Sequence, residues 1–320
     1  MRKVAPLNPE AKRVLEIIAE LEKGVVPPVP IPEMRALMKK RTGRLAADPP
    51  PVGRIENRTI ALAGGTVPVR FYYPAGDNAR PLPAYIYAHG GGFVVGDLDM
   101  VETMCRTVCR DAGIVVASVD YRLAPEHRFP AGLEDMIGVV RHVAANGAAL
   151  GIDASRLAVG GDSAGGNLAA AAAQALRGPG GIALRFQVLV YPVTDLTCSQ
   201  PSYKDLGTGY PLTEERMRNY IRLYLEEPAR QAPDPRASPL LAQSFAGLPP
   251  ALVVVAGLDP LVDEGVAYAR RLEEAGIAAE IVEVADHPHG FLGWTREAKA
   301  ARETLALIGA RLRERLNRPG

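Results

Sequence analysis

The segment Leu157-Ala158-Val159-Gly160-Gly161-Asp162-Ser163-Ala164-Gly165-Gly166-Asn167 places a serine at the centre of a Gly-x-Ser-x-Gly pentapeptide. A short apolar run precedes it and an alanine-rich stretch, Leu168 to Leu176, follows. Strand, sharp turn and helix in that order expose a serine hydroxyl at the end of a sheet, as a nucleophile elbow does. Such a turn strains the serine backbone, so its neighbours must be small, and Gly161, Ala164 and Gly165 meet that demand. The helix that follows points its N-terminus at Ser163 and favours negative charge there. An ordinary strand-to-helix turn would also explain an isolated pentapeptide; the flanking strand and helix favour the chemical reading.

A serine hydroxyl is a poor nucleophile unless a base takes its proton, and a tetrahedral intermediate needs fixed donors aimed at its oxyanion. Directly after the apolar run Ala84 to Ala88 comes His89-Gly90-Gly91-Gly92-Phe93, whose glycines leave backbone N–H groups unobstructed. A glycine run in that position supplies part of an oxyanion hole, with the N–H of the residue after the serine, Ala164, supplying the rest. A merely flexible loop would explain the glycines but not their place.

Five histidines are candidate bases: His89, His127, His142, His287 and His289. The chain order serine, acid, histidine puts the base after the last strand, where His287 and His289 lie. His289, before Gly290-Phe291, is preferred, and His287 reads as a loop surface residue. The acid should leave a strand between serine and histidine. Leu252 to Ala256 runs into Gly257-Leu258-Asp259-Pro260, which favours Asp259 over Asp263. Asp263 and Glu264 fall in the first turn of the next helix, where they could simply balance its dipole.

The elements that must hold these groups follow from apolar patterning. Short β-branched runs recur at Ala84 to Ala88, Ile114 to Val119, Leu157 to Val159, Phe186 to Tyr191, Ala251 to Ala256 and Ala279 to Val284, alternating with helical stripes. This alternation predicts a mostly parallel sheet covered by helices on both faces. Arg54 to Ala63 and Val67 to Tyr73, around Gly64-Gly65-Thr66, read as an edge hairpin, giving eight strands with the first few antiparallel. The expected helix faces are Val101, Met104, Cys105, Val108 and Cys109; Leu133, Ile137, Val140 and Ala144; Leu261, Val262, Val266, Ala269 and Leu272; and Ala301, Leu305, Ile308 and Leu312.

Two segments fall outside the alternation. Residues 1 to about 50 hold a helix starting at Asn8-Pro9 with stripe Val14, Ile17, Ile18 and Leu21, a proline-rich break from Pro27 to Pro32, and a second stripe, Met34, Leu37 and Met38. Residues 195–226 hold a helix capped by Thr213, with stripe Met217, Tyr220, Ile221 and Tyr224. The expected organisation is an N-terminal helical cap segment, 1–50, on a catalytic domain, 51–320, with a second cap insertion around 195–226.

The chain has 320 residues, 48% of them hydrophobic, enough for one large α/β domain. With 37 basic against 36 acidic residues the net charge is +1, which argues against nucleic-acid or anionic-membrane partners. The first helical stretch is interrupted by Lys12, Arg13, Glu16 and Glu20, so it does not read as a signal peptide, and a cytoplasmic location is expected. Cys105, Cys109 and Cys198 are too few for a disulfide framework. The four-residue spacing of Cys105 and Cys109 would suit metal ligands, but buried thiols in a core stripe are the better reading.

Taken together, His89-Gly90-Gly91-Gly92-Phe93, Asp120-Tyr121-Arg122-Leu123-Ala124-Pro125-Glu126-His127, Gly161-Asp162-Ser163-Ala164-Gly165-Gly166-Asn167, Asp259-Pro260-Leu261 and His289-Gly290-Phe291 form an ordered set. In it the chain resembles the hormone-sensitive lipase family of α/β-hydrolases, including the bacterial family IV esterases, from about residue 50 to the end. Asp162 resembles the subgroup with Asp before its serine. The resemblance implies a Ser163, Asp259, His289 triad and an oxyanion hole from the N–H groups of Gly91, Gly92 and Ala164, with His89, Gly90 and Asp162 as supporting motif residues. It implies a carboxylesterase acting on short- to medium-chain esters, with no cofactor or metal, and often a homodimer through the last strand. An amidase or peptidase could use the same triad. A non-catalytic small-molecule receptor of this fold would lack the histidine, which this chain keeps.

Overall fold

The computed structural model describes residues 4–26, 28–76 and 81–317. Residues 1–3 of the expected cap segment, Pro27 of its proline-rich break and the final residues 318–320 lie outside them. The strands are β1 (Arg54–Leu62), β2 (Gly65–Tyr73), β3 (Leu82–Ala88), β4 (Val115–Val119), β5 (Ile152–Asp162), β6 (Leu184–Val190), β7 (Ala251–Leu258) and β8 (Ala279–Pro288). The helices are α1 (Pro9–Leu21), α2 (Ile31–Leu45), α3 (Glu102–Ala112), α4 (Ala131–Ala145), α5 (Gly147–Leu150), α6 (Ala164–Leu176), α7 (Ser202–Leu206), α8 (Glu214–Tyr224), α9 (Pro228–Gln231), α10 (Val262–Glu274) and α11 (Lys299–Asn317).

The eight strands form one sheet in the order β1-β2-β4-β3-β5-β6-β7-β8. β2 runs antiparallel to β1 and β4, and every other pairing is parallel. The edge hairpin and the parallel body are as the sequence patterning predicts. All eight residues of β7 are buried. Its Ala251, Val253 and Val255 face the core under α4, α6 and α10, while Leu252, Val254 and Ala256 face the core under α3 and α11. A strand covered on both faces must be apolar throughout, and each buried Val or Leu contributes about 1.5–3 kcal/mol.

Some elements differ from expectation. β5 begins at Ile152 and β8 runs on to Pro288, both longer than their apolar runs. α4 is rotated: it buries Leu133, Met136, Val139, Val140 and Val143, leaving Ile137 and Ala144 half-buried. α1 begins as expected, with the Asn8 side chain accepting from Glu10 N–H at 2.9 Å, but buries Ala11, Val14 and Ile18 in the core beneath α3 and α11. Cys105 and Cys109 are buried in that same core, where burial pushes both thiols well up from their ordinary range.

Glu264 also departs from its expected role. It is fully buried on α10, and its Oε1 accepts the N–H groups of Thr194 at 2.7 Å and Asp195 at 3.2 Å. It therefore fastens the loop after β6 to α10 instead of balancing the helix dipole. Burial raises its pKa well above the ordinary carboxylate range, against the pull of the two N–H donors. A carboxyl raised in the folded state contributes stability that is present below its unfolded pKa and lost as pH rises towards the folded value. Glu264→Gln keeps an acceptor oxygen and removes this titration. In urea denaturation from pH 5 to 8, the variant should lose less stability than the parent as pH rises; parallel curves would show that Glu264 is ionised in the fold.

Candidate active site

β3 pairs with β4 on one side and β5 on the other, so the chain order reverses at β3, and the crevice beyond the C-terminal strand ends at such a switch point is where ligands of open α/β sheets bind. Ala88 lies opposite Gly161, bringing the glycine loop after β3 beside Ser163 after β5. Leu258 lies opposite Pro288, so Asp259 and His289, the next residues of each chain segment, emerge together.

Ser163 occupies a tight turn with φ 54° and ψ −119°, outside the regions a non-glycine residue ordinarily adopts. Its Oγ is 2.9 Å from Nε2 of His289, and Nδ1 of the same ring is 2.6 Å from Oδ2 of Asp259. Asp259 is fully buried, and its other oxygen accepts the Leu261 N–H at 2.9 Å. With Nδ1–H donating to the carboxylate, Nε2 is left as the acceptor for the serine hydroxyl. Asp263 lies elsewhere: its Oδ2 accepts the Ser202 N–H at 2.9 Å and anchors α7. His287 is not a surface residue as expected. It is 1% exposed, with Nδ1 2.7 Å from Asp286 Oδ1 and its ring edge-on to Phe291.

The glycine loop lines the same cleft through Gly90, Gly91 and Gly92. Gly91 has φ 122°, which side chains other than glycine's rarely permit. The N–H groups of Gly91 and Gly92 donate to no acceptor among the described residues, and that of Ala164, first in α6, has no intrahelical acceptor. His89 points away, fully buried and stacked on Tyr121 with ring centroids 4.4 Å apart. Asp162 Oδ1 accepts from Tyr87 Oη at 2.5 Å and from the Gly90 N–H at 2.8 Å, tying the start of the loop to β5.

A sequence profile of the alpha/beta hydrolase fold matches residues 85–293. The chain belongs to the α/β-hydrolase family. An ethyl acetate hydrolase of Pseudomonas putida is 38% identical over 317 residues, covering 97% of this chain and 99% of its own length. The carboxylic ester hydrolase LipN of Mycobacterium tuberculosis is 43% identical over 256 residues, 77% of this chain and 67% of its own. Among solved structures, an ester-hydrolase from the Lake Arreo metagenome, complexed with a derivative of bipyridine phosphonate, has a TM-score of 0.90 at 40% identity, covering 96% of this chain and 98% of that one.

In this α/β-hydrolase the cleft has walls beyond the motif residues, among them Met38, Met217 and Tyr220 of the helix stripes read from the sequence. Tyr191 packs its ring 4.6 Å from that of His289, and Trp294 also lines the cleft. Met38, Arg41, Thr42 and Leu45 of α2 and Arg216, Met217 and Tyr220 of α8 line the cleft as well. Asn167, one turn into α6, donates to the carbonyls of Val193 at 2.9 Å and Ala237 at 2.8 Å, bracing the loop beside the serine.

The elbow tolerates no side chain at Gly165, where a Cβ would fall 1.9 Å from the Ala88 carbonyl oxygen. Gly165→Ala should cost about 3 kcal/mol or more in urea denaturation, because backbone must move. Gly43→Ala, on α2 with nothing within 4 Å of the new Cβ, should be neutral or stabilise by up to about 1 kcal/mol. Equal stabilities for the two variants would contradict the close approach.

Proposed function

We propose that this α/β-hydrolase is a serine carboxylesterase in which Ser163 is the nucleophile, His289 the general base and acid, and Asp259 the orienting carboxylate. The observation that carries the reading is the unbroken hydrogen-bond chain of 2.9 Å and 2.6 Å through the two nitrogens of one imidazole. The ester-hydrolysing relatives support it independently.

Nε2 of His289 takes the hydroxyl proton as Ser163 Oγ bonds to the ester carbonyl carbon, and the buried Asp259 steadies the imidazolium. The N–H groups of Gly91, Gly92 and Ala164 receive the oxyanion. The C–O bond to the alcohol then breaks, His289 returns the proton to the leaving oxygen, and the acyl group stays on Ser163. Water, deprotonated by the same nitrogen, attacks the acyl carbon and releases the acid with the serine restored.

Parts of residues 1–50 and 195–226 act as a cap. The support is the lining of the cleft by α2 and α8, whereas the α1 stripe packs elsewhere, which confines the first segment's contribution to its second half. β8, at the sheet edge, is the strand through which a second copy would pair. Among the described residues no helix is long and apolar enough to cross a membrane.

Ser163→Ala and His289→Ala should each lower ester turnover by roughly 10⁴-fold or more while the fold, followed by circular dichroism, persists. Asp259→Asn should depress kcat far more than Asp263→Asn, and His289→Ala far more than His287→Ala. A folded Ser163→Ala enzyme with near-parental activity would remove the nucleophile assignment.

Acyl length provides a separate expectation. An acyl chain too long for the cleft must displace packed cap side chains, at about 1–3 kcal/mol, or roughly ten- to a hundredfold in rate. Across p-nitrophenyl esters from acetate to palmitate, kcat/KM should peak among the short chains, with the matched anilides cleaved far more slowly. An optimum at palmitate, or activation on emulsified triglyceride, would identify a lipase; faster anilide cleavage would identify an amidase.

A further inference from the structure

Most of the cleft around Ser163 is apolar, with Met38, Leu45, Met104, Met217 and Trp294 among its walls, but one wall carries two arginines. Arg41 comes from α2 and Arg216 from α8. Both reach the same carboxylate, that of Glu22 just past α1: Arg41 Nη1 lies 3.2 Å from Oε1, and Arg216 Nη2 lies 3.3 Å from Oε2. Arg216 spends another N–H on the Pro211 carbonyl at 2.8 Å. The balance of this cluster is two positive charges against one negative.

Arg41 is the member that water compensates least. Its side chain is 16% exposed, and its buried Nε has no acceptor among the described residues. Burial pulls its pKa below the ordinary arginine value in spite of Glu22. A guanidinium does not give up its proton in a protein, so the cluster keeps one positive charge more than Glu22 can match, shared between the mostly buried Arg41 and Arg216, whose side chain is half exposed. The other ionisable groups on the cleft do not supply one: Asp162 already accepts from Tyr87 and Gly90, and His289 is engaged with Ser163 and Asp259.

Tyr220 links the cluster to the reacting centre. A Cβ on Gly92 would fall 2.4 Å from the Tyr220 ring, so the ring lies directly against the glycine loop. The hydroxyl end of Tyr220 is within electrostatic range of Arg41, Arg216 and Glu22. Tyr220 therefore adjoins the glycine loop while its hydroxyl feels the charges of the arginines.

We propose that Arg41 and Arg216 form an anion subsite, and that the preferred substrates are esters that also carry a carboxylate several bonds from the scissile carbonyl. This rests on the esterase reading above and adds the class of substrate. The carboxylate displaces or shares Glu22's place on the two guanidiniums, while the rest of the substrate occupies the apolar wall. Charge-assisted hydrogen bonds of this kind discriminate by about tenfold or more.

The alternative is that the three side chains only latch α1, α2 and α8 together. Matched pairs separate the two. Ethyl hydrogen adipate against ethyl hexanoate tests a carboxylate on the acyl side, and 4-acetoxybutanoate against butyl acetate tests the alcohol side, each followed by pH-stat titration of released acid. In at least one pair kcat/KM should favour the anionic member by about tenfold. That preference should collapse in Arg41→Gln and Arg216→Gln, fall in roughly 0.5 M salt, and increase in Glu22→Gln, which removes the competing carboxylate. A latch predicts that all three variants scale both members of a pair alike. Neutral preference in both pairs, or a preference insensitive to Arg41→Gln and Arg216→Gln, overturns the subsite while leaving the esterase intact. Failure to hydrolyse any of the four esters overturns the esterase reading and the subsite with it.

Discussion

The contact on which the site depends is the approach of α6 to the end of β3. Cβ atoms at Gly161 and Gly165 would fall 2.4 Å and 1.9 Å from the Ala88 carbonyl oxygen, so only bare backbone fits there. That approach sets Ser163, between the two glycines, beside the loop that starts at His89. Were α6 held away by one methyl group at either position, the serine would part from the glycine N–H groups, and no adjustment of His289 could restore both distances. Asp162 secures the approach from the other direction, since its carboxylate accepts from Gly90 of the loop and Tyr87 of β3.

The second dependence is electrostatic. A carboxylate as deeply buried as Asp259 loses its hydration and is stable only if its lone pairs are taken up. The imidazole of His289 and the Leu261 N–H do this, and both are fixed by parallel strands whose register places Leu258 opposite Pro288. The orientation of the histidine is thus a consequence of β7 pairing with β8, with the carboxylate's need for donors enforcing it.

What could be read from the sequence was whatever a short stretch of chain decides. The elbow, the glycine loop, Asp259 and His289 each follow a strand end, and their apolar runs and glycines announce that position locally. Glu264 and His287 were misread for the opposite reason. Glu264 occupies a first-turn position where a solvated acid is ordinary, and only the loop at Thr194 and Asp195, distant in sequence, makes it a buried acceptor. His287 sits among loop-forming neighbours, yet β8 continues to Pro288 and buries it beside Asp286 and Phe291. The polar stretch Asp153-Ala154-Ser155-Arg156 hid the first half of β5, because it is an irregular insertion between the paired residues Ile152 and Leu157, where the Asp153 carboxylate accepts the Ser155 N–H.

The charged part of the cleft wall was the least legible, because two distant segments build it. Arg41 and Arg216 are 175 positions apart by their numbers and share no motif, and each alone reads as a solvated helix residue. Their meaning arises only when α2 and α8 line one cleft, with Tyr220 against the glycine loop. Ser163, Asp259 and His289 each directly follow a strand, whereas these walls belong to helices outside the sheet. A change of substrate can therefore proceed through α2 and α8 without disturbing the hydrogen bonds of Ser163, His289 and Asp259. Charge is the sharper instrument for such a change. An added methylene in an apolar wall shifts selectivity by about 1–3 kcal/mol. An excess guanidinium in a partly desolvated wall instead decides whether a substrate's carboxylate is welcomed or repelled.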